Sequence, residues 1–223
     1  MSGQLSFALP LNVSLGADDF FVSEANARAF AMVTDGVEWP ERKLALIGPQ
    51  GAGKSHLARI WQRRSGAVIL QAARLDGTQV ITAPAVVIED MQTLPSGAQE
   101  QVFHLHNQLA ATGGYLLLTA DRAPSRWDLS LPDLASRMQA TAVIQITDPD
   151  DRLLVAVLTK LFADRQLAPP PDAITWLAQR IERSFLAVAQ VVALLDRAAL
   201  DQGRDLTSAF MRQVLDKDDQ ATR

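Results

Sequence analysis

Five short apolar runs, at residues 44–47, 68–71, 86–88, 115–119 and 143–146, are bounded by Gly, Pro, Asp or Thr. Their brevity and almost unbroken apolar character predict five buried strands. Helical spacing covers residues 54–64 after the first run and 96–111 before the fourth. Strand alternating with helix predicts an α/β fold, a doubly wound five-stranded parallel sheet covered on both faces. No internal repeat is visible. After Thr147-Asp148-Pro149 the pattern turns wholly helical, with Asp150 and Asp151 in the first turn of a segment reaching about residue 167,. The run Ala168-Pro169-Pro170-Pro171-Asp172 breaks that helix and opens the next, where Ile174, Leu177, Ala178 and Ile181 recur at helical spacing,. Two more helices are predicted at 185–200 and 207–215, followed by a polar, frayed tail,. The chain therefore divides into an N-terminal peptide (1–14), an α/β core (15–148), a small C-terminal helical lid domain (149–216) and a tail (217–223).

Composition narrows the functional classes. With 223 residues, 48% of them hydrophobic, the chain can bury a substantial core,. Its net charge of −4 lacks the basic excess of a protein that grips nucleic acid unaided, so any contact with DNA is expected to be indirect,. The chain has no cysteine, which excludes disulfides, thiolate metal sites and cysteine nucleophiles and fits a reducing, cytoplasmic setting,. The N-terminus has neither a basic region nor a long apolar region of the secretory kind. The longest nearly apolar stretch, 186–195, is interrupted by Gln190 and is far shorter than the roughly 20 residues that cross a bilayer, so no membrane role is expected,.

The chemistry concentrates after the first strand. Gly48-Pro49-Gln50-Gly51-Ala52-Gly53-Lys54-Ser55 fits G-x-x-x-x-G-K-[ST] and stands between a strand and a helix, where the mechanism requires it,. Such glycines let main-chain N–H groups converge on phosphate oxygens; Lys54 would neutralise the outer phosphates and the Ser55 hydroxyl would ligate Mg²⁺. A strand-to-helix turn without ligand is the bland alternative, and the complete motif in context argues against it. The third strand ends in Glu89-Asp90, the carboxylates that a P-loop protein uses to hold Mg²⁺ and to polarise water,. Glu89 is the expected metal ligand together with Ser55. A long carboxylate in the first position shifts the metal or the water, so weak intrinsic hydrolysis is expected; two acids merely ending a strand would be the alternative.

With these residues in hand, the chain resembles the AAA+ module of the DnaA initiator family, and more closely its shorter regulatory branch, Hda, over roughly residues 4–216. The likeness is carried by Asp19-Phe20-Phe21-Val22 and Asn26, similar to the segment that packs on adenine, and by the loop with the following His56 and Leu57. The resemblance implies an AAA+ core with a helical lid, and ATP or ADP with Mg²⁺ as cofactors. It also implies that Asp121, in Leu118-Thr119-Ala120-Asp121-Arg122-Ala123-Pro124, ends the sensor 1 strand near the terminal phosphate. Arg137, in Leu131-Pro132-Asp133-Leu134-Ala135-Ser136-Arg137, matches the box that carries the arginine finger, a planar cation suited to spread charge over phosphoryl oxygens of a neighbour's nucleotide,. An ordinary surface arginine is the alternative reading.

Two departures bear on activity. Ala189 stands where the family's sensor 2 arginine usually does, leaving Arg183 as a possible substitute. Only residues 72–85 separate the second strand from the third, too few for the extra helical element of DnaA, and no helix-turn-helix domain is expected after Leu215. At the other end, Gln4-Leu5-Ser6-Phe7-Ala8-Leu9 is similar to peptides that dock on the replicative sliding clamp, with Leu5, Phe7 and Leu9 filling an apolar cleft and Gln4 making polar contacts,. His104 and His106, two apart in a helix, point to different faces and are expected at the surface or as caps; Trp61, Trp127 and Trp176 lack interleaved basic residues and are expected in the core,. The resulting expectation is a regulator of replication initiation. It docks on the DNA polymerase III sliding clamp and uses Arg137 in trans to stimulate ATP hydrolysis by the DnaA initiator. An autonomous P-loop ATPase that loads or remodels a replication partner, a nucleotide-dependent initiator tether, and a homo-oligomeric state remain open.

Overall fold

The computed structural model describes residues 20–35 and 38–221, with side chains as far as Lys217. Five parallel strands, β1 (Lys43–Ile47), β2 (Val68–Gln71), β3 (Ala85–Glu89), β4 (Tyr115–Ala120) and β5 (Ala142–Gln145), form one sheet in the order β2-β3-β4-β1-β5. The chain enters through α1 (Ala27–Thr34), and α2 (Lys54–Ser65), α3 (Gln99–Thr112) and α4 (Pro132–Ala140) follow strands β1, β3 and β4. Period-two alternation divides the strands between two cores. Leu44, Leu46, Val87 and Leu117 pack under α1 and α2, while Ala45, Ile47, Val86, Ile88, Leu116 and Leu118 pack under α3 and α4,. The doubly wound parallel sheet expected from the alternation is what the chain forms.

Not every strand is buried, however. β1 and β3 are buried throughout, but β2 and β5 lie at the sheet edges, leaving Val68 42% and Val143 46% exposed. An edge strand has a neighbour on one side only, which an apolar run cannot reveal.

The helical C-terminal region comprises α5 (Asp151–Asp164), α6 (Pro171–Ala178), α7 (Phe185–Gln202) and α8 (Ser208–Ala221). Its own core includes Leu158, Phe162, Leu177, Val192, Leu195 and Phe210. Asp150 Oδ1 accepts from the Leu153 N–H at 2.8 Å to cap α5, and Ser184 Oγ accepts from the Ala187 N–H at 3.1 Å to cap α7,. α8 runs on to Ala221, beyond the expected end at 215, because no glycine or proline interrupts its polar last turns. Among the described residues no helix is long and apolar enough to cross a membrane.

Two expectations need correction. His106 faces inward, 3% exposed, because its turn of α3 lies against the sheet rather than solvent. Burial, then the nearby Lys43 and Arg137 charges, push its pKa down to about 4,. Trp61 and Trp127 are buried as expected, but Trp176 is half-buried, with the guanidinium carbons of Arg180 and Arg212 4.7 and 5.0 Å from its ring centroid,. Arg180 stands in the turn that follows α6 and Arg212 comes from α8, a pairing that only the fold creates.

A histidine that folds neutral and unfolds with an ordinary pKa of ~6.5 leaves the unfolded chain binding more protons between those values. Stability should therefore fall as pH drops from about 6.5 toward 4,. Urea midpoints measured across that window should show a shallower slope for His106→Gln than for the wild type.

Candidate functional site

The parallel register decides what meets at the site. Ile47 of β1 pairs with Ala120 of β4, and Ile88 of β3 with Leu118, so the segments leaving β1, β3 and β4 emerge at one end of the sheet,. That end holds a cavity of about 500 Å³ lined by Gln50, Gly51, Gly53, Lys54, Ser55, His56, Asp90, Gln92, Thr93 and Asp121. Residues from three separate stretches of sequence thus converge on the helix start.

The loop itself is shaped by close packing. Gly51 and Gly53 adopt φ of +82° and +88°, the left-handed region that glycine enters without steric cost,. A Cβ at Gly53 would lie 2.9 Å from the Phe20 ring, and one at Gly51 would lie 3.1 Å from Phe185 Cβ. The loop is therefore held between an N-terminal aromatic and the first residue of α7. Phe20 stacks on Phe30 at 5.5 Å and meets His56 edge-on at 5.5 Å. The Gly48 N–H donates to Ala120 O at 3.2 Å, and the Ala52 N–H donates to Pro49 O at 3.2 Å, tying the loop to β4 and to itself.

Lys54 is 8% exposed, and its Nζ donates to Gly48 O and to Pro49 O, each at 2.8 Å. Burial lowers its pKa, against the raising pull of Asp90, Asp121 and Glu89 in that order,. Asp90 adopts φ 58°, and its N–H donates to the buried Thr119 Oγ1 at 3.1 Å, which turns this residue toward the cavity just where β3 ends. Glu89 behaves differently. It is 4% exposed and stands outside the cavity lining, with Oε2 accepting from Gln71 Nε2 of β2 and Oε1 buried without a hydrogen-bond partner. The Glu89-Asp90 pair is thus split, one carboxylate in the wall and one behind it.

Asp121 lines the cavity, its carboxylate gripped by Arg122 through Nε at 2.7 Å and Nη2 at 2.9 Å, and its N–H donating to Gln92 Oε1 at 3.2 Å. Arg137 lies elsewhere. It is exposed on α4, its guanidinium carbon 5.2 Å from the Phe103 ring centroid, and its charge is felt at Lys43, the first residue of β1, whereas the loop leaves β1 at the other end. Arg183 is ion-paired with Asp151 at 2.8 Å and does not line the cavity; Ala189 is exposed on α7. Asn26 is buried and donates from Nδ2 to Phe21 O at 2.9 Å, leaving Phe21 and Val22 half-exposed beside it. Gln4, Leu5, Phe7, Leu9 and Asp19 lie outside the described residues.

Sequence reasoning missed Gln92 and Thr93 as lining residues, Thr119 and Gln71 as the partners of Asp90 and Glu89, and Phe185 as the contact between loop and lid. The only available signal was position: Thr119 and Gln71 each stand at or near the end of a strand neighbouring β3.

The fold is that of an AAA+ P-loop domain. Its sheet and helices superpose on domain III of the Thermotoga maritima replication initiation protein DnaA with a TM-score of 0.74, at 19% identity over 94% of this chain and 98% of that one. AMPPCP-bound DnaA from Aquifex aeolicus is similar at a TM-score of 0.64 and 19% identity, covering 83% of this chain and 66% of that longer chain. In sequence, an uncharacterized protein of Haemophilus influenzae is 28% identical over 184 residues, 76% of this chain and 80% of its own length. No family model matches the chain.

If the loop depends on a left-handed residue packed under Phe20, Gly53→Ala should cost about 1–2 kcal/mol from the conformation alone, plus the clash with the ring. Chemical denaturation should show G53A/F20A recovering the steric part while the conformational part persists.

Proposed function

We propose that this chain is a nucleotide-dependent regulator of replication initiation. It holds ATP or ADP in its own loop and presents Arg137 to ATP bound by a DnaA-type initiator. The observation that carries the reading is the separation of Arg137 from the chain's own loop: an exposed guanidinium near the start of β1 cannot serve phosphates gathered at the other end of that strand. If such a cation meets phosphates at all, they would be those of a nucleotide held by another protein. The likeness in fold to DnaA domain III supports a partner of the same build.

The cavity fits a nucleotide polyphosphate. Two glycines in the left-handed region leave the loop without Cβ atoms where phosphates would approach, and a buried ammonium lies at the head of α2,. Lys54 would exchange the Gly48 and Pro49 carbonyls for phosphate oxygens, which satisfy its charge more fully,. Ser55 would hold Mg²⁺ from the cavity side; Glu89, whose Oε1 is buried without a hydrogen-bond partner behind the wall, would join it only by giving up its bond to Gln71,. A bound nucleotide with its metal supplies the electrophilic phosphorus; the chain's own residues supply position and charge. Asp90 and Asp121 face the cavity and would orient water there, while Glu89, bonded to Gln71, does not reach the cavity wall. Weak hydrolysis in cis and a stronger effect in trans follow from that arrangement. Gln4, Leu5, Phe7 and Leu9 would fasten the chain to the sliding clamp, keeping the regulator on replicated DNA without a net positive charge of its own,. The surroundings of Asp90 and Lys54 also favour a second reading, an ATPase acting alone.

Phosphate release from initiator-ATP mixed with clamp-loaded DNA distinguishes the two. The protein should accelerate release, and Arg137→Ala should remove the acceleration by on the order of 10³-fold, with its own ADP binding unchanged. Gln4→Ala should raise the protein concentration needed without altering the limiting rate. Turnover by the isolated protein that survives Arg137→Ala would select the second reading instead. By calorimetry, Lys54→Ala should lose adenine nucleotide binding in either case.

A further inference from the structure

We propose that Arg122 governs the preference of the loop for triphosphate over diphosphate by neutralising Asp121 in the cavity wall. The inference rests on the reading that the loop holds an adenine nucleotide, and it assigns a role to a residue outside the phosphate motif.

The cavity wall carries Asp90 and Asp121 against one lysine, and Glu89 adds a third carboxylate behind it. Left unshielded, that balance opposes an anionic ligand, and opposes a triphosphate more than a diphosphate because the former carries additional negative charge. Arg122 changes the balance. Its guanidinium forks onto both oxygens of Asp121, at 2.7 and 2.9 Å, the geometry in which arginine and carboxylate match best,. The backbone on either side is fixed: Trp127, 7% exposed, donates from Nε1 to Arg122 O at 2.9 Å, and the Asp121 N–H is held by Gln92. The pairing also holds the Asp121 carboxyl below the usual carboxylate range, first through the Arg122 hydrogen bond.

The two side chains are 50% and 37% exposed, so the pair adds little to folding stability,. Its effect falls instead on the charge met by a ligand. Arg183, the guanidinium that the sequence offered as a phosphate sensor, is engaged with Asp151. Arg122 is accordingly a positioning residue that acts through Asp121.

The test compares affinities for ADP and for AMPPCP, a triphosphate analogue that resists hydrolysis, in wild type, Arg122→Ala, Asp121→Asn and the double variant. Arg122→Ala should weaken AMPPCP by roughly two- to fivefold relative to ADP, with ADP affinity itself within about twofold of wild type. The loss should shrink as salt rises. Adding Asp121→Asn to Arg122→Ala should restore the wild-type ratio, a rescue that a merely structural defect would not give. Intact ADP binding with an unchanged ratio in Arg122→Ala overturns this inference alone, as does failure of Asp121→Asn to rescue. A wild-type protein that binds neither nucleotide overturns the nucleotide reading and this inference with it.

Discussion

The site depends on one geometric constraint, the parallel register that ends β1, β3 and β4 at the same edge of the sheet. Each strand delivers one kind of group there: main-chain amides and an ammonium after β1, Asp90 after β3, Asp121 after β4. In an antiparallel arrangement successive strand ends would alternate between the two edges and the same sequence would scatter them. The apolar interior of β1, β3 and β4 is therefore more than ballast. By burying both faces it fixes the register that assembles the charges.

The second requirement is that the loop be shaped from outside. Its left-handed glycines are packed by Phe20 from the N-terminal segment and by Phe185 from α7. Phe185 belongs to the same core as Leu57, Ile60 and Trp61 of α2, so the helical region is seated on α2 through apolar contact. In this chain the lid meets the loop by packing, since Arg183 is bound to Asp151 and Ala189 carries no charge. A change of loop conformation would reach α7 through the volume of a ring rather than through an ion pair.

Much of this was legible in the sequence because its signals are local. Short apolar runs marked the strands, and the glycine-rich octapeptide marked the cavity wall from Gln50 to Ser55. What was not legible depends on neighbours brought together by folding. Exposure of Val68 and Val143 follows from the strand order, which apolar runs do not encode. The burial of His106 follows from which side of α3 meets the sheet, and the flanking of Trp176 by Arg212 from the packing of α6 against α8. The carboxylates illustrate the limit most clearly. Glu89 and Asp90 read as a metal ligand and a water-polarising acid sharing one site, yet β-strand alternation and the turn at Asp90 direct one toward Gln71 and the other toward the cavity.

That division bears on how such a chain could be poor at hydrolysis while remaining able to bind nucleotide. On the proposed reading, binding would draw on the loop amides and on Lys54, whose Nζ is already oriented by the Gly48 and Pro49 carbonyls that phosphate oxygens would replace. Hydrolysis needs in addition a carboxylate free to hold water at a defined point. Asp90 is near enough to perturb Lys54, but its short side chain begins from a left-handed backbone anchored to Thr119, which fixes where it can reach. Glu89 has the longer reach but shares its Oε2 with Gln71 and would have to break that contact to move. On the proposed reading, a site built this way would keep a nucleotide longer than it consumes one, as a protein whose cationic side chain worked across a boundary would require.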